Sequence, residues 1–186
     1  MTAERKVTFA LNLTLDGYTD HTIAIADAEL HDFFTKELGK IDMLLFGRVT
    51  YQLMESYWPD AENDPEATQS EKDFARTYNA IPKIVFSKTL ERAEWKNSRI
   101  ERGGVVETVA NLKKLPGKNI SVDSISLFQE LARHNMIDEF CLLVHPLICQ
   151  KGKRLFDGVD TNINLALVET QTFASGVVVL RYRKKI

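Results

Sequence analysis

The chain has 186 residues, enough to bury a substantial core and too few for two ordinary domains, so it reads as one domain over residues 1–186. Apolar residues at 44% and charged residues at 27% exclude a disordered chain. Net charge is −2, from 24 basic against 26 acidic residues, which leaves no electrostatic footprint for nucleic acid or an anionic membrane.

The N-terminal MTAERKVTFALNL lacks the basic start, apolar core and cleavage site of a signal peptide, and no apolar run is long enough to span a membrane. The expected location is the cytoplasm. KVTFALNLTLDGY (6–18) alternates Val7, Phe9, Leu11, Leu13 and Leu15 before an Asp-Gly pair, which predicts a half-buried strand and a turn. DAELHDFFTKELGKI then predicts a helix with Leu30, Phe33, Phe34 and Leu38 on one face and Gly39 as its C-cap.

DMLLFGRVTY (42–51) predicts a strand buried on both faces, a Gly-Arg-x-Thr junction and a helix carrying Val49, Leu53 and Tyr57 at i, i+4, i+8. Trp58-Pro59 is expected to end that helix. A helix start behind a buried strand offers free backbone N–H groups and a positive dipole end to a phosphate, with Arg48 and Thr50 as further donors. PDAENDPEATQSEKD is a polar surface stretch, and FARTYNA is helical.

PKIVFSKTL is a short buried strand ending in Ser87, Lys88 and Thr89; NSRIERGG is another strand; VVETVANLKKL is a helix closed by Pro116-Gly117. KNISVDSISLFQELARHNMI repeats the strand, junction and helix arrangement, with Ile120 to Val122 as the strand and Leu127, Phe128 and Leu131 on one helical face. DEFCLLVHPLI is an apolar strand whose Pro146 implies an edge position or a bulge, and Cys141 and Cys149 read as buried thiols. NLALVETQTF and GVVVLRYRKKI, joined by Ala174-Ser175-Gly176, predict an antiparallel hairpin. The fold class is therefore α/β: a mixed, mostly parallel central sheet with helices on both faces and an antiparallel C-terminal hairpin.

His21, His31, His134 and His145 show no metal-ligand spacing, and there is no P-loop, Gly-x-Ser-x-Gly elbow or Gly-x-Gly-x-x-Gly. What remains is three strand ends with short polar donors, Arg48 and Thr50, Ser87 to Thr89, and Ser124 and Ser126, facing one crevice. Such a site suits an anionic cofactor that carries the chemistry itself.

In order, LTLDGY (13–18), LLFGRVTY (44–51), IVFSKTL (84–90), VDSISLFQEL (122–131), MIDEFCLLVHPLI (136–148) and GKRLFDG (152–158) resemble the dihydrofolate reductase-like superfamily, in the branch of the riboflavin-biosynthesis reductase domain. The resemblance covers nearly the whole chain. It implies an NADPH-dependent reductase of a pyrimidine-like or pterin-like heterocycle, frequently a homodimer, with a non-catalytic nucleotide-binding module of the same fold as the alternative. It puts Gly47, Arg48 and Thr50 at a cofactor phosphate, Ser87, Lys88 and Thr89 near the adenosine, and Asp123, Ser124, Ile125 and Ser126 beneath the pyrophosphate. It also sets Asp16, Gly17 and the helix from Asp27 to Leu38 beside the substrate, with His31 or Asp32 as the nearest proton donor. Asp123 stands where the family usually has glycine. Its carboxylate either opposes the pyrophosphate or turns away to cap the following helix through Ile125 or Ser126.

Overall fold

The computed structural model describes residues 5–19, 22 and 24–185; His21 lies outside them. Its elements in chain order are β1 (Val7–Thr14), β2 (Tyr18–Thr19), α1 (Ala28–Leu38), β3 (Ile41–Gly47), α2 (Arg48–Glu55), α3 (Trp58–Ala61), α4 (Gln69–Ala80) and β4 (Lys83–Phe86). There follow β5 (Ser98–Glu101), α5 (Val105–Lys113), β6 (Asn119–Val122), α6 (Ile125–Arg133), β7 (Glu139–His145), β8 (Lys153–Arg154), β9 (Leu165–Thr172) and β10 (Val178–Lys184).

Eight strands form one sheet in the order β5-β4-β3-β6-β1-β7-β10-β9, and β2 pairs with β8 in a small second sheet. The strands from β5 to β7 run parallel, so their carboxyl ends share one edge; β10 is antiparallel to both β7 and β9. This is the mixed, mostly parallel sheet with an antiparallel C-terminal hairpin that the alternation of strand and helix patterns predicts. Among the described residues no helix is long and apolar enough to cross a membrane.

The period of two along each strand separates the two faces. Val7, Phe9, Ile120, Val122 and Phe140 point to one side, where Val109 of α5 and Phe128 and Leu131 of α6 cover them. On the other side two apolar clusters flank the middle of the sheet. Leu44, Phe46 and Val85 pack with Phe74 and Tyr78 of α4, and Cys141, Leu143 and Val179 pack with Leu30 and Phe33 of α1.

Four expectations need correction. Pro146 does not mark an edge: β7 lies between β1 and β10 and stops at His145, the residue before the ring that cannot donate to a ladder. Trp58-Pro59 opens the short helix α3, with proline in its first turn where no N–H is needed, while α2 has already stopped at Glu55. Helix α4 starts at Gln69, inside the stretch read as polar surface, because Thr68 and Glu71 form a capping box. Cys141 is buried, but Cys149 is only half-buried, since it lies beyond the end of β7.

Candidate active site

At the shared strand edge, β3 and β6 each lead straight into a helix. Neither α2 nor α6 has a side chain bonded to its N-terminal amides, although α1 is capped by Asp27 and α4 by Thr68. No acidic residue stands in the first turn of α2 or α6, so the positive end of each dipole is uncompensated. The two junctions touch: a Cβ on Gly47 would lie 2.7 Å from Ser124 Oγ and 3.4 Å from Ser126 Oγ, an approach only glycine allows without displacing those hydroxyls. Ser124 and Ser126 are themselves 3.2 Å apart, Oγ to Oγ, and Ile125 opens α6 between them. Helix α5, which follows β5, also starts without a capping side chain, at Gly104. Sequence reasoning missed that third start, for which Gly103-Gly104 was the available sign.

Arg48 is exposed at the start of α2, its guanidinium donating to Gln52 Oε1 at 2.9 Å. Ser87 lies on the same edge one strand out, where its Oγ accepts the amides of Thr89 and Leu90 and so shapes the loop; Lys88 and Thr89 are exposed. Arg102 donates to the carbonyls of Ser87 and Leu90, at 2.7 and 2.6 Å, and fastens that loop to the end of β5.

Beside this edge a cavity of about 650 Å³ runs between the sheet and α1. Its origin is in the strands. Thr8, Ala10 and Asn12 of β1 and Asn119, Ser121 and Asp123 on and after β6 are short or polar, so α1 cannot pack down on them as it does on β7. The walls are Phe34 of α1, Trp58, Phe74 and Tyr78, with Leu53 and Tyr57 at the rim. Val49, Leu53 and Tyr57, read as an apolar helical row, are 69%, 38% and 45% exposed, and it is Tyr51 that α2 buries.

His31 and Asp32 part company here. His31 lines the cavity at 8% exposure, edge-on to Trp58 and tilted against Phe74, with no hydrogen-bond partner for its buried Nδ1. Asp32 is exposed on the outer face of α1 and does not line the cavity, so it has no path to a ligand there. Asp16 and Gly17 are also absent from the lining. Asp16 accepts the amides of Cys149 and Gln150 at 3.2 and 3.0 Å, and Gly17, at φ +83°, makes the turn after β1. The Thr14 hydroxyl and those amides hold the Asp16 carboxyl below its usual range, which marks a structural clasp.

Asp123 takes neither expected position. Its amide still bonds Leu45 O at 2.8 Å in the ladder, so its side chain keeps the parity of Asn119 and Ser121 and turns into the cavity. There Oδ1 accepts from Ser121 Oγ at 2.6 Å and Oδ2 from Tyr78 Oη at 2.8 Å, and α6 receives no cap from it. Burial pushes the Asp123 carboxyl above its ordinary value against the pull of Ser121, Tyr78 and the Lys83 charge. Burial, then Asp123, likewise drives the Tyr78 phenol well up.

Tyr78 is held by Lys83, whose Nζ donates to the carbonyls of Tyr78, Asn79 and Ile81 at 2.8, 3.2 and 2.8 Å and closes the end of α4. Burial pulls this ammonium to about 7, while the three carbonyls and the Trp95 ring, 4.3 Å from Nζ, favour its charged form. Tyr78, Ser121 and Asn12 escaped the sequence reading. The signal was present as the polar parity of β1 and β6, opposite to the apolar one that was followed.

Among known proteins, the chain is 34% identical over 183 residues to the uncharacterized protein YyaP of Bacillus subtilis (strain 168), covering 96% of this chain and 95% of that one. The fold matches a diaminohydroxyphosphoribosylaminopyrimidine deaminase/5-amino-6-(5-phosphoribosylamino)uracil reductase of Thermotoga maritima with a TM-score of 0.65 at 18% identity, over 98% of this chain and 57% of that longer protein. It also matches dihydrofolate reductase from Enterococcus faecalis, complexed with NADP(H) and RAB-propyl, with a TM-score of 0.64 at 15% identity over the whole of both chains. At these identities the two structures speak for a dihydrofolate reductase-like fold alone. The model of the RibD C-terminal domain matches residues 5–179, spanning the strand-end junctions and the cavity beside them, and the chain belongs to that family.

Proposed function

We propose that the protein is an NADPH-dependent reductase that transfers a hydride to a pyrimidine-like or pterin-like heterocycle, a reaction of the 5-amino-6-(5-phosphoribosylamino)uracil reductase type. The observation that carries this reading is the meeting of two uncapped helix starts at Gly47 and Ser124, next to an aromatic-walled cavity. The cofactor supplies the hydride. The residues present fit it: free N–H groups of α2 and α6, the Ser124 and Ser126 hydroxyls and the Arg48 guanidinium suit phosphate oxygens, and the Asp123 carboxylate points away from them. Gly47 keeps the approach open, and Ser87, Lys88 and Thr89 border the outer end of the same edge.

In the cavity the aromatic walls orient a flat ring and exclude water, and Asp123, Tyr78 and His31 are titratable groups on its lining. The whole chain acts as one domain, in the cytoplasm, as a homodimer joined along β9. That strand is an edge, and Leu167 and Val168 are 57% and 54% exposed on it. The strands β7 and β10 are covered inside the protomer, where Phe140, Leu143 and Val179 are buried.

The test is a titration with NADPH followed by nicotinamide fluorescence, then turnover with pyrimidines and pterins. Saturable binding with oxidation of NADPH by one ring class supports the proposal. Binding without turnover by any ring favours a nucleotide-binding module, and no binding removes both readings.

A further inference from the structure

Among the described residues four carboxyl groups line the cavity, and three of them are neutralised. Glu37 pairs with Arg181 and Lys40, Glu169 with Arg181, and Glu139 with Lys6. Asp123 differs, being held by two hydroxyl groups, Ser121 Oγ and Tyr78 Oη. It also stands immediately before Ser124, one residue from the place where the two junctions meet. Its carboxyl is on the cavity lining at that point.

We propose that Asp123 is the acid of this cavity, and that the ligand is a heterocycle with a basic ring nitrogen to which Asp123 gives its proton. This rests on the reductase reading for its place in catalysis. There a ring C=N bond is reduced: its carbon takes the hydride as NADPH becomes NADP+, its nitrogen takes the Asp123 proton, and the carboxylate recovers a proton from water. The acid has thus moved from helix α1, where the resemblance set it, to the end of strand β6.

The groups that face Asp123 agree with that role. Ser121 on β6 and Tyr78 on α4 fix its orientation, Lys83 at the start of β4 lends charge without contact, and α6 brings no acid in its first turn. From α1 two titratable groups, His31 and Glu37, line the cavity, and Glu37 is paired with Arg181 and Lys40. Desolvation raises the carboxyl and keeps a proton available nearer neutrality than an exposed aspartate would.

The probe is 2,4-diaminopyrimidine, whose ultraviolet spectrum changes when its ring nitrogen is protonated, titrated into the intact protein, Asp123→Asn and His31→Gln across pH. The expected result is the cation spectrum in bound probe above the pH at which free probe loses its proton. Asp123→Asn loses that spectrum and about ten- to a hundredfold in affinity, the worth of one charge-assisted contact. His31→Gln keeps the cation spectrum. Tyr78→Phe, which leaves the carboxyl but removes a donor to its ionised form, moves the acid limb of binding to higher pH. A cation spectrum that persists in Asp123→Asn or vanishes in His31→Gln overturns the proposal, and so does a probe that does not bind.

An NADPH titration of the same variants separates the two readings. Absence of NADPH binding sinks the reductase alone if the probe is still protonated. Normal NADPH binding with an unprotonated probe sinks the role of Asp123 alone.

Discussion

His145 Nε2 lies 3.0 Å from Asn12 Oδ1, while its Nδ1 accepts the amide of Ile25 at 3.3 Å, so the ring is neutral with its proton on Nε2. One histidine at the end of β7 thereby orients an amide in the cavity floor and ties down the chain that leads into α1. Burial lowers its pKa from 6.5, opposed by the charge of Asp27. The folded state resists a proton that the unfolded chain accepts, so stability is full above about pH 6.5 and falls as pH drops toward the folded value. Urea unfolding between pH 8 and 5 should show this loss, and His145→Gln should flatten it. An unchanged slope in the variant would assign the loss to other groups.

Lys83 is 1% exposed, and all three of its donors are used on carbonyls at the end of α4. Lys83→Met keeps most of the volume but leaves the carbonyls of Tyr78 and Ile81 without that donor, Asn79 O retaining Asn97 Nδ2, at an expected cost of about 3 kcal/mol. Because Tyr78 sits on the same turn, the orientation of Asp123 should loosen too. Calorimetry measures the first effect, and a stability within 0.5 kcal/mol of the natural protein, about the scatter of neutral surface changes, would show that the carbonyls find other partners.

Arg48→Ala removes an exposed guanidinium whose contact is Gln52 on the same helix. Stability should move by less than about 0.5 kcal/mol, while NADPH affinity falls about ten- to a hundredfold and more steeply at low salt. Fluorescence titration at two salt concentrations checks both the size and the sign. Equal affinities would take Arg48 out of the cofactor site.

The outer edge of β9 is expected to pair two protomers. Val168→Lys puts a charge on that edge and should convert a dimer into a monomer in light scattering, with the fold intact by circular dichroism. A natural protein that is monomeric at every working concentration contradicts the assembly proposed for it.

Much of the fold was legible because the period of two on β1 and the helical spacing on α1 and α6 are strong signals, and the bulk of their apolar residues are buried as expected. The strand-to-helix junctions at Gly47 and Ser124 were legible for the same reason. Side-chain direction was not. Asp123 was weighed as a neighbour of phosphate or a helix cap because it follows a strand, yet its amide remains in the ladder and strand parity carries the carboxylate inward. Asp32 was paired with His31 because they are adjacent, although 100° of helix turn separates an exposed residue from a buried one. The apolar row Val49, Leu53 and Tyr57 is read from its spacing, which says that a face exists and not which way it looks.

The parity that built the cavity also makes it open to change. On β1 the side chains of Val7 and Phe9 hold the sheet to the helices behind it, while Thr8, Ala10 and Asn12 line the cavity in front. Alternate letters of one strand therefore answer to different demands, one set to folding and the other to the ligand. A lineage could rewrite the second set and acquire a new substrate while the first set, and with it the scaffold, stayed as it is.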